Sequence, residues 1–199
     1  MRRFVLVLPL LVGCSSTPAA PDPQPVAAET PAKAANKEAP PSNLGKPGQT
    51  AHLFFQSTEN AELSGVERFK LGDHVGDEAT TPRPVVLSFA AWYCEPCKKE
   101  LADYARSPAS IRDTGAEYVV VVIGDKGEQE KMTKLVVDEL KLPFPVVRDW
   151  GEIVARRYGV TSLPHTVVVG RDGKIASVVT GYDPKAALAE LVQAIAAAP

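Results

Sequence analysis

The chain has 199 residues, room for one domain of ordinary size and an additional segment. Hydrophobic residues make up 45% and charged residues 23%, the balance of a soluble globular domain. The formal net charge is −2, with no run of like sign, which argues against a nucleic-acid partner, since that would leave a basic stripe.

The first thirteen residues read as an export signal. Met1-Arg2-Arg3 supplies positive charge, Phe4 to Val12 is apolar, and Gly13 is a small residue before a cut. The apolar stretch is far short of the ~20 residues of a spanning helix, and Pro9 interrupts it. Leu11-Val12-Gly13-Cys14 resembles the bacterial lipobox, although Val12 is larger than the residue usual there. By that resemblance residues 1–13 are removed and Cys14 receives the lipid that holds the protein at the membrane. More than one acyl chain is needed for firm anchoring. Ser15, rather than Asp, after Cys14 resembles an outer-membrane address over an inner-membrane one.

Residues 14–50 are expected to be a disordered tether. They are rich in Pro and Ala, lack aromatics, and hold only Val26 and Leu44 as large aliphatics. Such a segment buries too little apolar surface to offset its ordering entropy. In polyproline II it would reach roughly 110 Å at ~3.1 Å per residue.

A domain is expected over residues 51–199, where the pattern turns to alternating strands and helices. Leu53-Phe54-Phe55 and Val66 to Leu71 are candidate strands in a less readable stretch. Val85 to Phe89 and the Val-rich run Tyr118 to Ile123 suit central strands covered on both faces. Thr166 to Val169 and Lys174 to Thr180, joined through Asp172-Gly173, read as an antiparallel hairpin. Helices are expected from Cys94 to about Arg106, from Glu128 to Lys141, and from Trp150 to Tyr158. A last helix should have Asp183 as N-cap, Pro184 in its first turn, and Leu188, Leu191, Val192 and Ile195 along one face. This order predicts a three-layer α/β sandwich, a mixed central sheet flanked by helices.

The chemistry gathers at Trp92-Tyr93-Cys94-Glu95-Pro96-Cys97, between a buried strand and a helix. A cysteine at a helix N-terminus meets unpaired N–H groups and the positive end of the dipole, which stabilise a thiolate. The thiolate is the nucleophile of disulfide exchange, and a second cysteine one turn on can resolve the mixed disulfide. Cys94 is therefore the expected attacking thiol and Cys97 the buried resolving one. Pro96, without an N–H, suits the first turn. A loop this short makes a poor structural staple. The alternative for such a pair is half of a zinc site, but the domain holds no further cysteine, and His52, His74 and His165 are scattered.

Phe89 to Leu101, together with Tyr158-Gly159-Val160-Thr161-Ser162-Leu163-Pro164-His165-Thr166, resembles the thioredoxin superfamily, and within it the envelope branch of TlpA- and ResA-like proteins. The resemblance spans about residues 66–198. It implies a thioredoxin-like fold and a thiol–disulfide oxidoreductase, without cofactor or metal, acting on protein thiols and disulfides and recharged by an upstream redox donor. It implies that Pro164 is a cis-proline facing the cysteines and exposing a strand edge to an extended substrate, with Trp92, Tyr93, Glu95, Pro96 and Leu163 as the substrate-binding surround. ResA-like proteins carry Cys-Glu-Pro-Cys-Lys-Lys-Glu, here Cys94 to Glu100, which makes Glu100 a catalytic candidate. A carboxylate there can accept a proton from the resolving thiol, and by repulsion raises both thiol pKa values. Many thioredoxins instead have an Asp where Ser88 stands.

Three residues depart from the family pattern. Tyr93 replaces a Trp and Ala90 a second aromatic, both by the expected active-site surface, and His165 replaces a common Thr. His165 could tune a thiolate, bind copper, or simply pack. The expected activity is reduction of protein disulfides, as in relatives that reduce apocytochrome c or similar clients, by a lipid-anchored monomer whose domain lies in the periplasm. The alternatives are copper delivery by Cys94, Cys97 and His165, a redox-silent binding module, and a peroxidase.

Overall fold

The computed structural model describes residues 44–199; the export signal, Cys14 and the tether as far as residue 43 lie outside the described residues. The elements begin with a short antiparallel hairpin, β1 (Phe55–Ser57) and β2 (Arg68–Lys70), with α1 (Ala61–Ser64) in its loop. Then come β3 (Val85–Ala91), α2 (Glu95–Arg106), α3 (Pro108–Arg112) and β4 (Glu117–Ile123). α4 (Lys126–Lys134) ends in a π turn over Leu135–Glu139 and leads to β5 (Val146–Arg148). A 3-10 turn at Trp150–Glu152 precedes α5 (Ile153–Arg157), followed by β6 (His165–Val169), β7 (Ile175–Thr180) and α6 (Ala187–Ala196).

The main sheet has five strands in the order β5-β4-β3-β6-β7. β3 runs parallel to β4 and β4 to β5, whereas β6 and β7 are antiparallel additions, so the sheet is mixed as expected. The valine runs occupy its centre because both faces are covered there, and a strand without an exposed face shows no polar alternation. On one face Val86, Ala90, Tyr118, Val120 and Val122 pack against Cys97, Leu101 and Tyr104 of α2, Met132 of α4, and Leu191 and Ile195 of α6. On the other, Leu87, Phe89, Val121 and Val167 meet Phe69, Leu71, Val154, Ala155 and Tyr158. These are the three layers, two helical layers with the sheet between them.

Several expectations shift in detail. Leu53 and Phe54 lie outside β1, and Leu53 and Phe55 are solvent-exposed; the paired residues are Phe55 to Ser57. β5 was not foreseen, because three residues are too few for a periodicity. It is held by β4 and by Asn60, whose amide donates to the Leu142 and Phe144 carbonyls (3.0 and 2.8 Å) and accepts from the Val146 N–H (3.0 Å). The helix expected over 150–158 breaks into two pieces, since Gly151 (φ 69°) and Glu152 (φ 56°) are left-handed. α6 starts at Ala187 rather than next to Asp183. Asp183 instead closes a turn, its side chain accepting from the Lys185 N–H and its carbonyl from the Ala186 and Ala187 N–H groups.

Residues 44–50, assigned to the tether by composition, lie on the domain. Gly48 donates to the Ile175 carbonyl (2.8 Å), Ile175 donates to the Gln49 carbonyl (2.8 Å), and Thr50 bridges to Lys174. Gly45, at φ 69°, comes so close to Tyr158 that a Cβ would collide with its carbonyl oxygen. Backbone hydrogen bonds need no apolar side chains, so composition could not reveal this docking.

Candidate active site

Cys94 is the N-cap of α2, and its Sγ accepts from the Cys97 N–H at 3.1 Å. That is one of the orphan donors of a helix start, so the sulfur sits where negative charge is favoured. Pro96 is in the first turn, as its missing N–H allows. Cys94 and Cys97 are joined by a disulfide. Cys94 is 6% exposed and Cys97 fully buried, so an incoming sulfur can reach only Cys94.

Beside Cys94 lies a groove of about 350 Å³, lined by Tyr93, Pro96, Ile123, Glu152 and Val160 to Leu163. The Leu163–Pro164 bond is cis, as the resemblance implied, and leads directly into β6. Of the residues expected around a substrate, the structure brings Tyr93, Pro96 and Leu163 to this groove. Tyr93 is 61% exposed. Trp92 and Glu95 do not line it. Trp92 is half-buried against the core and carries the Lys98 ammonium 3.9 Å from its ring centre. Lys98 also holds Glu95 at 2.7 Å, which keeps the Glu95 carboxyl below its usual range. The Glu95 charge is thus matched by Lys98 and adds little field at the cysteines.

Cys97, Glu100, Leu101 and Tyr104 form the buried stripe of α2, at helical spacing. Glu100 is only 4% exposed. Burial pushes its carboxyl up to about 7, partly opposed by a hydrogen bond from the Tyr104 hydroxyl to Oε1 (3.2 Å). Its Oε2 has no partner among the described residues, and Glu100 borders a cavity of about 280 Å³ together with Tyr104, Thr166 and Tyr182. Ser88 is buried in β3 on the α2 face and pairs in register with Thr166. Tyr104 and Thr166 escaped the sequence reading; the i, i+4 spacing of Glu100 and Tyr104 was the one available signal.

One expectation is corrected, and the roles open to His165 are narrowed. Ala90 lies inside β3, 1% exposed and facing α2, and so forms no part of the active-site surface. His165 is buried on the opposite face of the sheet from the cysteines, edge-on to Phe89 with ring centres 6.0 Å apart. Desolvation lowers its pKa. Neither ring nitrogen has a partner among the described residues, and its role is packing. With the sheet between His165 and the cysteines, the proposed copper ligand set does not assemble. Among the described residues no three His, Cys, Asp or Glu side chains converge on a metal-sized site.

Known proteins resemble this chain. The ResA thiol-disulfide oxidoreductase of Halalkalibacterium halodurans is 33% identical over 97 residues, which is 49% of this chain and 53% of that protein. ResA of Bacillus subtilis is 33% identical over 115 residues, 58% of this chain and 59% of that protein. The chain therefore spans between half and three-fifths of the length of these relatives. A crystal structure of a Chlorobium tepidum protein assigned as the thiol:disulfide interchange protein DsbE superposes with a TM-score of 0.61 at 24% identity, covering 76% of this chain and 96% of that one. That likeness establishes the thioredoxin-like fold. Residues 55–178, more than half of the sequence, match the AhpC/TSA family, and the chain belongs to it.

Proposed function

We propose that this protein exchanges a Cys94–Cys97 dithiol for disulfides of client proteins, acting as a reductant. The observation that carries the reading is the asymmetric pair: a helix-capping Cys94 that lines a groove, beside a fully buried Cys97. The Cys94 thiolate attacks one sulfur of a client disulfide, forming a mixed disulfide and expelling a client thiolate. Cys97 passes its proton to the Glu100 carboxylate and, as thiolate, attacks Sγ of Cys94. This releases the second client thiolate and leaves the Cys94–Cys97 disulfide. Two electrons pass to the client, and an upstream dithiol restores the pair. No cofactor is required. A Glu100 carboxyl that titrates near neutrality suits a proton acceptor that must also give the proton up again.

The chain is further proposed to act from a lipid at Cys14, with the domain in the periplasm at the outer membrane and apocytochrome c or similar proteins as clients. The support is the sequence of the first fifty residues and the resemblance to ResA-like proteins. Among the described residues no helix is long and apolar enough to cross a membrane.

Trapping tests the reading. Full-length Cys97→Ser, mixed with a disulfide-bonded client, should accumulate a mixed disulfide on Cys94, whereas Cys94→Ser should not. Equal trapping by both variants would remove the assignment of attacking and resolving thiols. Hydrogen peroxide offered in place of the disulfide separates exchange from peroxidase action.

A further inference from the structure

Residues 160–163, which help line the groove beside Cys94, belong to no helix or strand, so their course is set at the two ends of the segment. At the far end Pro164 leads into β6, and its carbonyl accepts from the Gly181 N–H (3.0 Å) just after β7. At the near end stand Tyr158 and Gly159, and both meet residues 44–52. The Tyr158 hydroxyl donates to the His52 carbonyl (2.9 Å), while its ring is buried against Phe89, with ring centres 5.8 Å apart. The Tyr158 carbonyl lies so close to Gly45 that no side chain fits there, and a Cβ on Gly159 would fall 2.6 Å from the Leu44 carbonyl oxygen. Gly45 (φ 69°) and Gly159 (φ 65°) are both left-handed, so the two stretches of chain meet backbone to backbone through a pair of glycines. Gly159 also closes α5, its N–H donating to the Arg156 carbonyl (3.2 Å) and the Val160 N–H to the Ala155 carbonyl (3.0 Å). Residues 44–52 are fixed in turn on the β6–β7 hairpin, where the Gly48 N–H donates to the Ile175 carbonyl and the Ala51 N–H to the Gly173 carbonyl (2.8 Å each).

We infer that residues 44–52 are a positioning element of the exchange reaction: they clasp Tyr158 at its hydroxyl and at its backbone, and so set residues 160–163, against which a client segment is held. This rests on the proposed exchange at Cys94 and deepens it by naming what shapes the client site. The clasp acts through the placement of the groove lining rather than on the sulfurs. Its loss therefore weakens binding of an extended polypeptide more than it slows reaction with a small disulfide, which needs no groove.

The test uses full-length protein with dithiothreitol as electron donor. Steady-state KM and kcat are measured for a disulfide-bonded peptide, and a rate for the neutral disulfide of 2-mercaptoethanol. Tyr158→Phe keeps the ring and removes the hydroxyl grip, whereas Gly45→Ala forces the two backbones apart. Each should raise the peptide KM about three- to tenfold, the range of one lost hydrogen bond, with a smaller effect on kcat and on the neutral disulfide. Gly65→Ala puts the same backbone strain at a left-handed glycine (φ 75°) with open space, in the loop of the β1–β2 hairpin, and should leave the peptide KM at the wild-type value. Tyr158→Phe is conservative, and decides the question even where Gly45→Ala does not fold. A peptide KM in Tyr158→Phe equal to that of the wild type overturns the inference. So does an equal loss with peptide and neutral disulfide, or an equal rise of KM in Gly65→Ala, since either marks a general weakening of the fold. Failure of the wild-type protein to reduce the neutral disulfide overturns the exchange reading as well.

Discussion

Replacing Glu100 by Gln should make the protein more stable at alkaline pH while impairing its chemistry. The sign follows from the burial of the carboxyl. Its folded-state pKa of about 7 stands above the ordinary 4.5, because the charged form loses its water and regains a single hydrogen bond from Tyr104. Between these values the folded state holds a proton that the unfolded state has released, so stability falls as pH rises, by up to about 1.4 kcal/mol per pH step. The whole interval corresponds to roughly 3 kcal/mol, absent below about pH 4.5 and fully expressed above about pH 7. Gln cannot ionise, so Glu100→Gln should lack this slope. It can still accept from the Tyr104 hydroxyl. Urea titrations with the disulfide intact, at about pH 5 and about pH 8, measure the difference directly. The two proteins should be of similar stability in acid, and the variant ahead by roughly 2–3 kcal/mol in base. The same variant should resolve the mixed disulfide more slowly at neutral pH, since its side chain accepts no proton from Cys97. Parallel pH profiles for variant and wild type would refute the reasoning, because Glu100 would then ionise without penalty.

Tyr104→Phe removes the hydrogen bond that lowers the Glu100 pKa, so the stability inflection in the same pH series should move upward. Asn60→Ala leaves two buried carbonyls and one buried N–H around β5 without their partner and should cost about 2–4 kcal/mol in denaturant unfolding. Gly45→Ala forces a side chain against the Tyr158 carbonyl at a left-handed position. It should lower stability by at least about 1 kcal/mol, whereas the same change at Gly48, which has open space, tests the left-handed backbone alone.

The parts of this molecule legible in its sequence are those written in local chemistry. Val-rich runs announced β3 and β4, Asp172-Gly173 announced the β6–β7 hairpin, and the Cys94 to Glu100 segment named its own helix start. What stayed hidden depends on distant partners. β5 exists because Asn60, more than eighty residues earlier, satisfies its approach. Residues 44–50 dock through backbone atoms that composition does not describe. Glu152 reaches the groove because of a left-handed turn braced from below by Asp149, and no spacing in the sequence marks it. Of the roles open to His165 in the sequence, the structure fits packing, for a simple reason. Adjacency to Pro164 in the chain does not fix the face of the sheet, and strand alternation sends His165 to the side of Phe89 and Tyr158.

The reduction potential of Cys94–Cys97, measured on the full chain by thiol trapping in redox buffers, tests the central claim most directly. The account predicts a single reversible two-electron transition near the thioredoxin value of about −270 mV. A transition near the DsbA value of about −120 mV would contradict the direction and make the protein an oxidant. The absence of any reversible transition would contradict disulfide exchange itself.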